Sequence, residues 1–353
     1  MSEPAPFNRP RLAMAAASAQ QSPSAEAALD AARDAVVVCD LGRLRVLAIG
    51  GADAAAFLHG QLSSDVKGLA AGACRHTSFN SPKGRMLANF PMWRDPADRE
   101  SFRALLPDDI AQPLTKRLSM YVLRSKVTLA DISAETCRLG VGGPDGADTL
   151  TRALGKAPAP FEVQTAGDAT VLGLPGPRFV VIMPVASAET VRENLLRQAA
   201  AAASYEVWQW LTIRAGVPVV TAATQDAFVA QTANWDVLGG VDFQKGCYTG
   251  QEIIARTQYL GRLKERAFLF HVDRSGVQPG ERVFSEAFAG QPCGTVANAA
   301  AAPGGGSDLL VVLQVAAAER GDARLGAPDG PELTPLPLPY AIPAAGEPRK
   351  RIV

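Results

Sequence analysis

A thiol set between two glycines is the first place in this sequence where chemistry could reside. In Val241-Asp242-Phe243-Gln244-Lys245-Gly246-Cys247-Tyr248-Thr249-Gly250-Gln251-Glu252, Gly246 and Gly250 bracket Cys247 and an aromatic ring. Paired glycines allow a tight backbone path that a regular strand would not follow. The next residues, Gln251-Glu252-Ile253-Ile254-Ala255-Arg256, predict a short helix. Cys247 should then lie just ahead of a helix N-terminus, with Lys245 two residues away. Both favour thiolate over thiol, and the thiolate is the form that attacks disulfides or ligates metal. A small apolar filler is the plain alternative, but Gly, Lys, Tyr and Thr are not a filler's neighbours. Cys247 is expected to be exposed and reactive, with Lys245 as its catalytic partner.

Two other segments carry candidate groups. In Ser81-Pro82-Lys83-Gly84-Arg85, Pro82 and Gly84 predict a loop that feeds an alternating apolar strand and holds Lys83 and Arg85 at its mouth. A solvated hairpin tip fits the same pattern. Tyr121-Val122-Leu123-Arg124-Ser125-Lys126-Val127-Thr128-Leu129 alternates as a strand does, which puts Arg124 and Lys126 on one face. That face is either wet or an anion-binding wall. Lys83, Arg85, Arg124, Lys126, Arg262, Lys264 and Arg266 could converge into a patch for RNA. The chain has 3 histidines, and His59 reads as a solvated helix residue.

These stretches together resemble a known family. Lys245-Gly246-Cys247-Tyr248, then Gly250-Gln251-Glu252, matches the K-G-C-Y-x-G-Q-E signature of the YgfZ family. Its members are folate-binding proteins related to the aminomethyltransferase (T-protein) of the glycine cleavage system. The match continues through Arg256-Thr257-Gln258-Tyr259-Leu260-Gly261-Arg262. Upstream, Phe57-Leu58-His59-Gly60-Gln61-Leu62-Ser63-Ser64-Asp65-Val66 is similar to the family's F-L-Q-G-Q-x-T-x-D-V. The Lys83 loop is similar to K-G-[KR], residues 121–129 to Y-x-L-R-[AS]-K-V-x-I, and Ile213-Arg214-Ala215-Gly216 to R-x-E-A-G.

The resemblance covers about residues 36–343 and implies an α+β fold: two ferredoxin-like halves and a C-terminal β-barrel around a central folate channel. It implies tetrahydrofolate or a derivative as cofactor, mono- or polyglutamylated. Tyr248, Gly246, Gly250, Gln251, Glu252, Lys83, Arg85, Arg214 and Arg262 would contact it. Implied partners are iron–sulfur enzymes or assembly proteins, including those of tRNA methylthiolation, and tRNA itself. Two departures separate the chain from the aminomethyltransferases. Ala88-Asn89 stands where they have an acidic pair, and a neutral pair cannot handle protons or steady a cationic intermediate. Arg214 stands where they present a Glu to the pterin, and it offers donors alone. Their matching segment reads K-G-D-F, so the cysteine appears where the transferase chemistry does not. The expected function is a folate-dependent accessory factor for iron–sulfur cluster assembly or repair. An aminomethyltransferase and a tRNA-binding modification factor stay open.

The bulk numbers set limits on the rest. The 353 residues suffice for two or three domains. Lys+Arg and Asp+Glu are both 35, so any nucleic-acid contact must be a local patch. The 5 cysteines are scattered without a C-x-x-C, which suggests no metal site and suits a reducing cytosol. No apolar run reaches the length of a membrane span. A cytoplasmic protein is expected. Residues 1–34 read as a disordered Ala/Pro-rich tail, 35–260 as the folate-binding region, 261–343 as a barrel of short strands, and 344–353 as a basic tail.

The supporting elements follow from patterning. Val36 to Cys39 and Leu44 to Ile49, around Asp40-Leu41-Gly42, predict a hairpin. Asp53 should cap a helix that carries Phe57 and Leu58. Asp108 to Tyr121 predicts a helix with Ile110, Leu114 and Leu118 on one face. Residues 140–177, rich in Gly, Pro, Ala and Asp, read as a crossing between halves. Ala188 to Ala203 reads as one helix and Tyr205 to Ala215 as another, ended by Gly216.

Overall fold

The computed structural model describes residues 24–199, 201–259 and 263–343. Three sheets make the frame. The first joins β1 (Val37–Asp40), β7 (Thr136–Gly142), β8 (Val163–Ala166), β9 (Ala169–Leu174), β10 (Arg178–Pro184) and β11 (Ala201–Ala203), in the order β11-β1-β7-β10-β9-β8. The second joins β2 (Leu44–Gly50), β3 (Cys74–Asn80), β4 (Met86–Arg94), β5 (Phe102–Pro107) and β6 (Thr128–Asp131), in the order β3-β4-β5-β2-β6. The third is a half-barrel of β12 (Glu265–Val272), β13 (Arg282–Phe284), β14 (Pro292–Ala301), β15 (Ser307–Gln314), β16 (Arg324–Leu325) and β17 (Thr334–Leu336). The helices are α1 (Ala25–Asp34), α2 (Ala54–Gln61), α3 (Asp108–Val122), α4 (Gly146–Leu154), α5 (Ala188–Leu196), α6 (Tyr205–Arg214), α7 (Gln251–Tyr259) and α8 (Val315–Arg320).

Several expectations are corrected. β1 and β2 are not a hairpin. β1 pairs with β7 and β11, and β2 with β5 and β6, so the turn between them hands the chain from one sheet to the other. Val37, Val38 and Cys39 are all buried, which requires cover on both faces of the strand. The expected strand from Tyr121 is instead the end of α3, a bend at Leu123 with φ 45°, and a strand that starts only at Thr128. Residues 140–177 hold the end of β7 and all of α4, β8 and β9. Gly140 and Gly142 in β7 are not loop markers. A Cβ at 140 would sit 2.6 Å from the Trp208 ring, and one at 142 would sit 2.4 Å from Leu211 Cδ1. They let α6 press onto the sheet. The Ala-rich helix stops at Leu196, and Ala201–Ala203 pairs parallel with β1. Within the expected N-terminal tail, residues 25–34 form α1, capped by Ser24 and docked through Ala28, Leu29 and Ala32. Residues 1–23 and the basic tail from 344 lie outside the described residues.

The largest core joins the second sheet, residues 213–254 and the inner face of the half-barrel. Each fully buried Leu or Phe there contributes roughly 1.5–3 kcal/mol. Two asparagine amides fasten this junction. Asn89 on β4 donates to the Pro218 carbonyl (2.8 Å) and accepts from the Val220 N–H (2.7 Å). Asn298 on β14 accepts from the Val219 N–H and donates to its carbonyl, both at 2.9 Å. No helix among the described residues is long and apolar enough to cross a membrane.

Candidate functional site

The Cys247 loop is held at three points, each with a local cause. The first is Lys245. Its Nζ donates to the carbonyls of His59 and Leu62, the latter at 2.7 Å, and lies 4.6 Å from the centre of the Tyr248 ring. Those carbonyls belong to the C-terminal end of α2, where backbone acceptors lack helical partners and the dipole favours a cation. Burial, the largest cause, lowers the Lys245 pKa to about 8, opposed by Asp242, Asp65 and Cys247. Lys245 thus caps a helix as well as charging the loop.

The second point is a seam between residues 57–66 and 240–248. The Asp242 N–H donates to the Ser63 carbonyl (2.9 Å), and Ser63 Oγ donates to the Gly240 carbonyl (2.5 Å). The Asp242 carboxylate accepts from the Gln244 and Lys245 N–H groups, an Asx turn that starts the loop. His59 stands here too, with Nδ1 3.1 Å from Asp65 Oδ1, and a Cβ at Gly246 would lie 3.6 Å from its Nε2. It is therefore a wall of the loop rather than the solvated helix residue expected. Burial and Lys245 lower its pKa.

The third point is glycine against glycine. Gly250 has φ +83° and Gly84 has φ +70°. A Cβ at Gly250 would meet the Ser81 carbonyl at 2.5 Å and Gly84 Cα at 2.9 Å, and one at Gly84 would meet the Gly250 carbonyl at 3.2 Å. The Lys83 loop and the Cys247 loop are brought together by this contact, backbone to backbone. Lys83 is exposed at the tip, while the exposed Arg85 donates to the Ala227 carbonyl.

Cys247 is exposed, three residues ahead of the last residue before α7. The other cysteines differ. Burial pushes Cys39 and Cys74 up to about 12 and Cys293 to about 11, and it raises Cys137 as well. α7 begins at Gln251, whose N–H donates to the Tyr248 carbonyl (3.2 Å), and exposed Glu252 in its first turn suits the positive end of the helix.

Other expected contacts fall elsewhere. The Tyr248 ring is buried in the main core beneath Lys245 and keeps little free face. Arg214 lies 3.5 Å from Asp308 of the half-barrel, a carboxylate that also accepts from Trp210 Nε1 and meets His271 Nδ1, both at 2.9 Å. Arg266 is buried against Asp236 in a bidentate pair and leaves the expected cationic patch. Arg262 lies outside the described residues. Asn89 is a clamp between β4 and the irregular segment 218–220. A carboxylate there would leave the Pro218 carbonyl without its donor.

Sequence reasoning missed a set of buried polar atoms. Gln61 Oε1, Ser64 Oγ, Asn80 Nδ2, Gln231 Oε1, Asn234 Oδ1 and Trp235 Nε1 have no hydrogen-bond partner among the described residues. Buried groups of this kind ordinarily find a partner. The one available sequence signal was the polar spacing of Gln231, Asn234 and Asp236 inside an apolar stretch. His76 stacks on Trp235 at 4.7 Å, and burial lowers its pKa to about 3, so it stays neutral.

Comparison with known proteins follows the same lines. The family described as GCVT N-terminal domain matches residues 1–175. Proteins named tRNA-modifying protein YgfZ, from Escherichia coli (strain K12) and Shigella flexneri, are each 32% identical over 224 residues, 63% of this chain and 67% of theirs. The glycine cleavage system aminomethyltransferase T from Bartonella henselae superposes with a TM-score of 0.70 at 16% identity, over 90% of this chain and 89% of that one. This likeness fixes the fold as that of the aminomethyltransferases.

Proposed function

The chain belongs to the YgfZ family, and from that membership and the loop geometry we propose a reduced-folate-binding accessory factor in tRNA modification. In this reading it supports iron–sulfur enzymes, including those of tRNA methylthiolation, and Cys247 is its reactive thiol. One observation carries it: the single exposed cysteine stands on a loop held at three points, while burial raises the thiol pKa of the other four. A held, accessible thiol can carry sulfur, ligate iron or form a mixed disulfide.

The residues present suit a folate. A pterin edge needs acceptors and donors together, and the unpartnered buried atoms offer both: Gln61, Gln231 and Asn234 oxygens as acceptors, Asn80 Nδ2 and Trp235 Nε1 as donors. Lys83 and Arg85, beside Gly250, Gln251 and Glu252, suit the carboxylates of a glutamate tail. Tetrahydrofolate would supply a carrier for a one-carbon unit. With Asn89 engaged as a clamp and Arg214 facing Asp308, no carboxylate stands at either transferase position, which favours an accessory role over aminomethyl transfer.

Two experiments test the halves separately. Isothermal titration with mono- and polyglutamyl tetrahydrofolate is expected to show binding, and absence of heat from both forms would remove the folate half. In a strain lacking the gene, Cys247→Ser is expected to fail to restore methylthiolated tRNA, whereas the Ser variants of the four other cysteines restore it. Full rescue by Cys247→Ser would remove the thiol half.

A further inference from the structure

The corner between α3 and β6 is the most exposed apolar surface on the described chain, and it is also cationic. Met120, Tyr121 and Leu123 keep 61%, 42% and 87% of their surface exposed. Leu123 is held outward by a left-handed φ of 45°, a conformation that costs a branched residue about 1–2 kcal/mol. Lys116, Arg117, Arg124 and Lys126 are exposed around them, and no carboxylate occurs from Ile110 to Ala130.

Elsewhere several exposed arginines are paired with acids, as in Arg33–Asp34, Arg192–Glu189 and Arg320–Asp322. Acids that flank this stretch or touch its backbone are engaged with backbone N–H groups. Asp53 accepts from the Lys126 N–H, Asp109 from Ala222 and Asp131 from Ser133. A protein of zero net charge therefore gathers four unpaired cations on one ridge. By helix and strand rise that ridge spans no more than about 20 Å, room for several phosphates rather than one.

We propose that this corner is an RNA-docking surface: the four cations meet consecutive backbone phosphates, and Tyr121 with Met120 and Leu123 receives an unstacked base. The choice of tRNA as the ligand rests on the tRNA-modification reading. The surface itself rests on charge and exposure. Cations with an exposed aromatic and no acids are the footprint of single-stranded or loop RNA. The corner leads to the functional loop through α2, whose N-terminal side is tied to Lys126 and whose C-terminal side is capped by Lys245.

The test is fluorescence anisotropy with a full-length tRNA transcript across a potassium chloride series. Wild type is expected to bind with a steep salt slope. Lys116→Ala/Arg117→Ala/Arg124→Ala/Lys126→Ala is expected to bind at least about tenfold more weakly, with a slope shallower by about 3, because each phosphate contact contributes about 0.7–0.9. Tyr121→Ala should weaken binding with the slope unchanged, and Lys83→Ala/Arg85→Ala should change both less than the quadruple variant. If the quadruple variant fails to fold, Arg117→Ala/Arg124→Ala carries the same test at about half the slope change. Equal affinity and slope in wild type and variant would overturn the surface and leave the family reading standing. Absence of tRNA binding by wild type would overturn both the surface and the RNA part of that reading, with the folate titration still independent. Binding of wild type to phosphatidylglycerol vesicles but not tRNA, lost in the quadruple variant, would assign the corner to a membrane and overturn the proposal.

Discussion

The two ends of α2 face opposite demands. At the C-terminal end, Lys245 closes the helix, Ser63 and Asp242 stitch the seam, and Gly250 lies against Ser81 and Gly84 with no room for a methyl group. At the N-terminal end, Asp53 makes no side-chain cap to its own helix. It reaches instead to the Lys126 N–H at 2.7 Å, while its own N–H donates to the Lys126 carbonyl at 3.3 Å and Gly51 packs on that carbonyl. Beyond this backbone anchor the side chains of Leu123, Arg124 and Lys126 stand in solvent. If Cys247 reacts as proposed, it needs one position, which backbone contacts that tolerate little change would give its loop. A surface for a long polyanion needs reach and charge, so it can be built from side chains that touch nothing.

Substitutions should therefore cost much at one end and little at the other. Gly250→Ala combines a left-handed φ with a 2.5 Å approach to the Ser81 carbonyl, and urea denaturation is expected to show a loss of about 3 kcal/mol. A loss under about 0.5 kcal/mol would mean that the two loops are not locked together.

Lys245→Met removes the α2 cap and is expected to destabilise by about 1 kcal/mol near neutral pH. The sign with pH is specific. Burial holds the Lys245 pKa at about 8 in the folded protein, against 10.5 unexposed to these contacts. Between those values the unfolded chain binds more protons, so this group's contribution to stability rises with pH, and below about 8 the burial cost is fully present. The wild type should gain on the variant between about pH 8 and about pH 10. A constant difference across that window would place Lys245 in open solvent.

At the other end, Leu123→Ser and Arg124→Ala are expected to shift stability by less than about 0.5 kcal/mol. A larger loss would show that the corner is packed in solution.

Legibility in the sequence followed how local the cause was. The Cys247 and Lys83 loops were readable because glycine, proline and a lone charged residue report backbone constraint directly. That Gly84 and Gly250 touch each other was not, since the reason for each glycine lies in the other loop. The Asp40-Leu41-Gly42 turn was readable as a reversal, but a turn does not say which sheet receives the next strand. Gly140 and Gly142 suggested a loop because their purpose, room for Trp208 and Leu211, lies 68 and 69 residues away in sequence. Tyr121 to Leu129 alternates as a strand would, yet α3 continues to Val122 because its buried Leu114 and Leu118 keep helical spacing. Asn89 was readable as a missing carboxylate but not as a clamp, because Pro218 and Val220 are distant in sequence.

The most direct test of the account is native-state alkylation of all five cysteines by iodoacetamide, followed residue by residue with mass spectrometry across a pH series. Cys247 is predicted to react first at every pH, with Cys137 slower and Cys39, Cys74 and Cys293 modified only as fast as the chain unfolds. If Cys247 is modified no faster than the other four, its loop does not present a usable thiol, and the central claim fails.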